Sequence, residues 1–372
     1  MTGLPLKSKD EFIPDNFRLA YRRFMIMVST KLDNDPQLKR DYKDVFESYE
    51  RDDMIEEVKD SGIPGKIHYL PHHPVVRSDK ETTKVRPVFD ASSKEKGGKS
   101  LNDFLHPGPC LLSKIYDVII RLCFKKFVLI ADIRQAFLNI EICEENRDLL
   151  RFLFFDKYDD SKFSVYRFKR GCFGVTSLPF IMCATIRYHM NCLKLKNPEN
   201  SLLVEQFLRD LYMDDVVTTV NSFQDGVVFY NFARDAMNLA GFELRKWYSN
   251  SAEMMKYMKC EDEDNSKLKK ILGMVLNSED EFLFDLSEMV AYADQLPVTK
   301  RSILRFGAKF FDVPGYISPV VIIAKIYFQK VCLDNSNWDE ELHGGLRKGW
   351  MNYLKELRNI NCIRFLPMLK SL

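Results

Sequence analysis

Two acidic residues stand side by side at Asp214–Asp215, with Leu211, Tyr212 and Met213 before them and Val216, Val217, Thr218, Thr219 and Val220 after. Adjacent like charges raise each other's pKa, so such a pair is costly unless water or a cation offsets it. Carboxylates are hard oxygen ligands, and a bound divalent cation would turn that cost into a binding site. The plain alternative is a solvated acidic turn. A further carboxylate, Asp132, closes the compact apolar run Phe127–Ala131. Three converging carboxylates suit two divalent cations about 3.5–4 Å apart, the arrangement that drives in-line phosphoryl transfer. One ion would activate a 3′-hydroxyl and the other would hold a triphosphate. Upstream, Lys84 and Arg86 could neutralise phosphate oxygens, the arginine through two parallel bonds. A charged edge-strand face is the alternative for those two.

Positioning these side chains falls to short strands. The β-branched run after Asp215 and the apolar residues Phe207, Leu208 and Leu211 before it predict a hairpin whose tip is Met213–Asp214, although no Asn-Gly or Asp-Gly turn signal marks it. Pro179 opens a helix running to about Leu193. Val228, Phe232, Ala236 and Leu239 predict another, closed by Gly241, and Phe242–Trp247 reads as a strand. Residues 127–247 thus run strand, helix, strand, strand, helix, strand, with an excursion after the first strand. That is the order of a ferredoxin-like sheet with helices on one face. In it the Asp132 strand neighbours the central hairpin, and the carboxylates meet at one edge.

The remainder frames this unit. In 372 residues, 46% hydrophobic and 29% charged, there is ample core material for two or three domains. A net charge of +2 means that a polyanion must be held by local patches. Nine scattered cysteines without a Cys-x-x-Cys pair argue for a reducing compartment and against disulfides or structural zinc. No apolar run reaches membrane-spanning length and no signal core opens the chain, so no membrane partner is expected. Residues 1–60 read as a helical preamble, with Leu38, Tyr42, Val45, Phe46 and Tyr49 on one helix face. Asp60–Ser61–Gly62 matches an aspartic-protease signature but runs into Ile63–Pro64–Gly65, which favours a turn. Lys66–Leu70, Pro74–Arg77, Val85–Phe89, Arg151–Phe155 and Phe163–Phe168 read as strands, and Ser100 could cap a short helix. Ile271–Leu276 and Phe282–Phe284 suggest a hairpin around Asn277–Ser278. Residues 298–330 carry Lys300, Arg301, Arg305, Lys309, Lys325 and Lys330 against the single acid Asp312. Such a stretch could hold a duplex by its backbone, or be a solvated helix face.

Tyr212–Met213–Asp214–Asp215 together with the Asp132 strand resembles the polymerase core of reverse transcriptases. The wording is closest to the BEL/Pao-type LTR retrotransposons, in Tyr69–Leu70–Pro71–His72–His73–Pro74–Val75, Lys84–Val85–Arg86–Pro87–Val88–Phe89–Asp90–Ala91–Ser92, Ser100–Leu101–Asn102–Asp103, Gly241–Phe242–Glu243–Leu244–Arg245–Lys246–Trp247 and Thr299–Lys300–Arg301–Ser302–Ile303–Leu304. The resemblance runs in order over nearly the whole chain. It implies an α+β right-hand polymerase fold with fingers, a ferredoxin-like palm and a helical thumb. The bounds would be a helical extension at 1–65, fingers at 66–126, palm at 127–250 with a fingers insertion near 145–175, palm end and primer grip at 251–295, and thumb at 296–372.

The resemblance also implies roles. Asp132, Asp214 and Asp215 would bind two Mg²⁺ ions, with Mn²⁺ as a substitute. Arg86, helped by Lys84 or Lys80, would contact the incoming dNTP, and Phe137 would exclude a ribose 2′-hydroxyl. Phe173–Gly174 and Pro179 would touch template and nucleotide beside Tyr212 and Met213. Lys246 matches a lysine suggested to protonate pyrophosphate, and Leu272–Gly273 matches the primer grip. Partners would be an RNA template, RNA/DNA or DNA duplex and dNTPs, in a cytoplasmic retroelement particle or the nucleus. Departures are Leu178 before Pro179, where a small residue is usual, and Asp312–Val313–Pro314–Gly315 in the thumb. Nothing after the thumb is expected to form an RNase H or integrase domain, as in an excised piece of a polyprotein. The rivals are a silent nucleic-acid-binding remnant, another palm-type nucleotidyl transferase such as a cyclase, and, distantly, a protease.

Overall fold

The computed structural model describes residues 1–8, 11–76, 85–159, 161–258, 268–277, 281–334, 336–360 and 362–365. In chain order the elements are helices α1 (Phe17–Met27) and α2 (Pro36–Arg51), strands β1 (Ile55–Glu57), β2 (His72–Val76) and β3 (Val85–Phe89), helices α3 (Leu101–Phe104) and α4 (Ile115–Leu122), and strand β4 (Phe127–Ile133). Then follow α5 (Glu144–Arg147), β5 (Arg151–Phe155), β6 (Phe163–Phe168), α6 (Leu178–Lys196), α7 (Ser201–Asp210), β7 (Leu211–Tyr212), β8 (Asp215–Val220), α8 (Phe223–Leu239) and β9 (Leu244–Ser249). The last are α9 (Ala252–Met258), β10 (Leu268–Ile271), β11 (Met274–Asn277), β12 (Phe282–Asp285), α10 (Leu286–Asp294), α11 (Lys300–Ala308), α12 (Ser318–Leu333), α13 (Gly344–Ile360) and β13 (Cys362–Phe365). Contacts divide the chain into two compact units, one of 1–112, 133–199 and 237–243, the other of 113–132, 200–236 and 244–372.

The first unit contains the β2–β3 ribbon and the β1-β6-β5 sheet. Helix α2 starts at Asp35, whose carboxylate accepts the Leu38 amide, and Pro36 supplies the fixed φ of a first turn. It buries Tyr42 and Phe46 and exposes Asp44, Glu47 and Glu50. Those rings join Phe24, Phe89, Phe152 and Phe154 around His72. His72 is fully satisfied: Nε2–H donates to the Leu153 carbonyl at 2.7 Å, so Nδ1 accepts the Tyr42 hydroxyl at 2.6 Å. Burial pushes its pKa down to about 4. Asp60–Ser61–Gly62 is a structural turn. The buried Arg151 guanidinium donates to the Asp60 carboxylate at 3.1 Å and to Asp148 at 2.9 Å. Ser100 and Asp103 form the expected reciprocal cap on α3. Lys66–Leu70, read as a strand from sequence, makes only isolated bridges at Lys66 and Tyr69. Lys80, Lys84 and Arg77 lie outside the described residues.

The second unit contains a sheet of order β7-β8-β4-β9, which is the ferredoxin-like order read from sequence. Strands β4 and β8 are antiparallel, running from Phe127↔Val220 to Asp132↔Asp215. Both faces of β8 are covered, against the expectation of helices on one face. Val217 packs with Val118, Ile119 and Leu122 of α4, while Thr218, one residue on, faces α7. Helix α7 itself corrects the reading of Phe207–Leu211 as a strand. Val204 and Phe207 recur at helical spacing and are buried, leaving β7 only two residues. On α8 the buried stripe is Phe229, Ala233, Ala236 and Met237; of the expected residues Ala236 is buried, while Val228 and Leu239 are exposed.

A second sheet in this unit runs β10-β11-β12-β13. Ile271–Leu276 is not one strand. Leu272 and Gly273, both at positive φ, make a two-residue loop between β10 and β11, with Ile271 opposite Met274. Helices α10 to α13 pack around Phe306, Trp350, Tyr353 and Leu354. The Asp312–Gly315 departure is a capped turn: the Asp312 carboxylate accepts the Tyr316 and Ile317 amides at 2.9 and 2.8 Å.

Candidate active site

Register does most of the positioning. Asp132 and Asp215 are directly opposed on β4 and β8, so their side chains leave the same face of the sheet. Tyr212 pairs with Asp215 across the hairpin, and Met213–Asp214 is its two-residue loop. Met213 has φ 53°, the left-handed conformation that a glycine ordinarily supplies at the first position of a type II′ loop. Asp214 is exposed at that tip and Asp215 is half-buried.

The Asp132 carboxylate is engaged on both oxygens. Arg245 Nε–H donates to Oδ1 at 3.0 Å, and Lys246 Nζ lies 3.4 Å from Oδ2. Both bases come from the neighbouring strand β9, whose burial runs in, half, half, in, half, in from Leu244 to Ser249. Lys246 has φ 52°. One residue in the left-handed region at a break in alternation is the signature of a bulge, which re-aims side chains locally. Sequence reasoning singled out Lys246 but gave Arg245 no role. The only signal was a basic pair in an otherwise alternating strand.

Mg²⁺ enters as an implication of the sequence resemblance, and the donor chemistry fits it: hard carboxylate oxygens on adjacent strands, two of them in register. The fit is incomplete in one respect. Among the described residues no three or more His, Cys, Asp or Glu side chains are gathered closely enough to hold a metal ion. Asp132 is instead turned to its two cations.

A buried network backs the opposite face. Asp210 Oδ2 accepts the Thr218 hydroxyl at 2.6 Å, Oδ1 accepts Arg121 at 3.0 Å and Arg209 at 2.9 Å, and Gln206 donates to Thr218 at 2.8 Å. It ties α4, α7 and β8 together immediately before the Tyr212–Asp215 bend. The sequence reading gave Asp210 no role.

The first unit holds Phe137, Phe173, Gly174 and Arg86, and the basic stretch from 298 belongs to the second. The ring of Phe137, only 9% exposed, meets Phe173 edge-on at 4.9 Å between centroids. Gly174 has φ 102°, and a Cβ there would lie 2.2 Å from the Phe89 carbonyl oxygen, so no other residue fits without moving the backbone. Asn102 fixes this turn by donating to the Gly174 carbonyl and accepting the Thr176 amide, both at 2.9 Å. Arg86 is half-buried on β3 opposite Val75. In the basic stretch, Lys300 donates to the Ser336 carbonyl and Arg301 pairs with Asp339, while Arg305 and Lys325 are exposed. No helix among the described residues is long and apolar enough to cross a membrane.

The fold is a mixed α/β one, similar to solved structures of a foamy viral protease-reverse transcriptase. A foamy viral protease-reverse transcriptase bound to double-stranded DNA superposes with a TM-score of 0.56 at 13% identity, over 87% of this chain and 56% of that one. A dRH form with double-stranded DNA gives 0.58 at 12%, over 86% and 47%, and the same enzyme with an RNA/DNA hybrid gives 0.55 at 12%, over 96% and 39%. The chain spans about half or less of the length of these structures. No curated protein matches its sequence. Residues 299–371 match the family profile described as the Pao retrotransposon-like RNaseH-like domain. Here that segment forms α11, α12, α13 and β13, the part that the sequence reading assigns to thumb-like helices.

Proposed function

We propose that the chain is the polymerase part of a retrotransposon Pol protein, an RNA-directed DNA polymerase that adds dNTPs to a primer 3′-hydroxyl. The observation that carries this reading is Asp132 facing Asp215 in register, with Asp214 at the adjoining tip. Asp132, Asp214 and Asp215 would hold two Mg²⁺ ions, which would supply an activated 3′-oxygen and offset charge on departing pyrophosphate. The chain's own residues do the rest. The β4–β8 ladder sets the spacing of two carboxylates, and the α4–α7–β8 network anchored on Asp210 keeps that ladder rigid. Lys246, now 3.4 Å from the Asp132 carboxylate, would turn to phosphate oxygens. Arg86, with Lys84, would bind the triphosphate, and Phe137 would bar a 2′-hydroxyl. Duplexes like those in the foamy viral complexes would lie along exposed bases such as Arg305 and Lys325, within a cytoplasmic retroelement particle.

A second reading, a catalytically silent nucleic-acid-binding remnant, is favoured by one observation: Asp132 is bonded to Arg245 and Lys246, and among the described residues it is not gathered into a group of three or more acids. Extension of a DNA primer on an RNA template separates the two. Mg²⁺-dependent incorporation is expected from the wild type, and Asp214→Asn should lower it by about a thousandfold or more, a loss of about 4 kcal/mol in transition-state stabilisation, with duplex binding retained. No incorporation by the wild type would leave the silent reading in place.

A further inference from the structure

We infer that Arg245 and Lys246 form a cationic lock on Asp132, a pair of built-in counterions that must let go before the carboxylate can serve a divalent cation. The inference rests on the polymerase reading above and adds to it a regulation of metal entry. Three features carry it. Both carboxylate oxygens are engaged, each by a different cation, at 3.0 and 3.4 Å. An unbroken strand would send Arg245 and Lys246 to opposite faces. Here a bulge with Lys246 at φ 52° leaves both half-buried and both within reach of the same carboxylate. A non-glycine residue is held in that conformation only when its surroundings demand it.

The third feature is electrostatic. Directly opposed like charges destabilise an antiparallel pair, and Asp132↔Asp215 is such a pair. Two adjacent cations offset that repulsion without a metal. The lock is also releasable. Asp132, Arg245 and Lys246 are 26%, 37% and 32% exposed, so water competes for every partner and the ion pairs are weak. A divalent cation and the basic pair then compete for one carboxylate, and each lowers the other's occupancy by the same factor.

The test is Mn²⁺ binding to the full chain, followed by the electron paramagnetic resonance of the free ion, with a crystal structure of the Mn²⁺-soaked protein. Arg245→Met should tighten Mn²⁺ binding by about two- to fivefold, the range expected for removing a half-exposed ion pair. Lys246→Gly should do the same while relieving the left-handed backbone, which guards against misfolding as the cause. In the soaked crystal the Arg245 guanidinium should have left Asp132. Asp132→Asn should weaken binding at least tenfold. If Asp132→Asn weakens binding but the Arg245 and Lys246 variants bind no tighter than wild type, or Arg245 stays bonded to Asp132 beside bound Mn²⁺, the lock is overturned and the metal site stands. If Asp132→Asn leaves Mn²⁺ binding unchanged, the metal-binding reading falls and the lock with it.

Discussion

The two faces of strand β8 use the same side chain to opposite ends. On one, Asp210 is buried with its oxygens filled by Thr218, Arg121 and Arg209, and the carboxylate is a structural joint. On the other, Asp132 sits near the end of the interior strand β4 opposite Asp215, held among the described residues by half-exposed bases that water can replace. The type of residue does not separate structure from chemistry here. What separates them is the burial of the carboxylate itself: closed off at Asp210, 3% exposed, and open to exchange at Asp132, 26% exposed. His72 repeats the closed case in the other unit, with both ring nitrogens bonded inside an aromatic shell.

A pair of substitutions tests this contrast most severely. Asp132→Asn should abolish primer extension, by about a thousandfold or more, while changing stability by at most about 1 kcal/mol, because the ion pairs it loses are half-exposed. Asp210→Ala should do the reverse, costing roughly 2–3 kcal/mol in urea unfolding through the lost charged hydrogen bonds and the stranded arginines. Its purified folded fraction should retain extension within about tenfold. Equal losses of stability from the two variants would erase the distinction.

Acid probes the closed case next. His72 takes a proton near pH 6.5 in the unfolded chain but only near pH 4 when folded. Between those values the unfolded state binds more protons, so stability is present above about pH 6.5 and is lost as pH falls toward 4. The expected loss is about 3 kcal/mol for this histidine, and His68, also lowered to about 4 by burial, adds in the same direction. Urea midpoints at pH 7 and pH 4.5 would show it. A flat profile would mean that the ring is not held neutral.

How much of this was legible beforehand follows from the same distinction. The strands β3, β5 and β6 and the order of the central sheet were readable, because alternation and β-branched runs report burial directly. The Asp132–Asp215 juxtaposition followed from that order. The helix α7 was hidden because Phe207–Leu211 runs without a break into the hairpin, and its helical spacing shows only when Val204 is included. The β10–β11 loop and the β9 bulge were hidden for one shared reason. Each turns on a non-glycine residue at positive φ, Leu272 and Lys246, where local sequence carries no mark of the conformation. Short edge strands such as β13 depend on a partner far away in the chain and have no signal of their own.

Met213 is the third such residue in this unit, and it yields the smallest predicted effect. A left-handed side chain costs about 1–2 kcal/mol relative to glycine, and glycine gives back about 0.5–1 kcal/mol through the freedom of the unfolded chain. Met213→Gly should therefore raise the urea midpoint by an amount equivalent to no more than about 1 kcal/mol. The open edge gives this variant its interest. If the hairpin tip is shaped for chemistry rather than for stability, relieving it should stabilise the fold while slowing extension, because Asp214 next to it gains freedom to wander from its working position. A variant that is more stable and equally fast would show that the tip is merely a turn, and the contrast between the two faces of β8 would then rest on Asp132 alone.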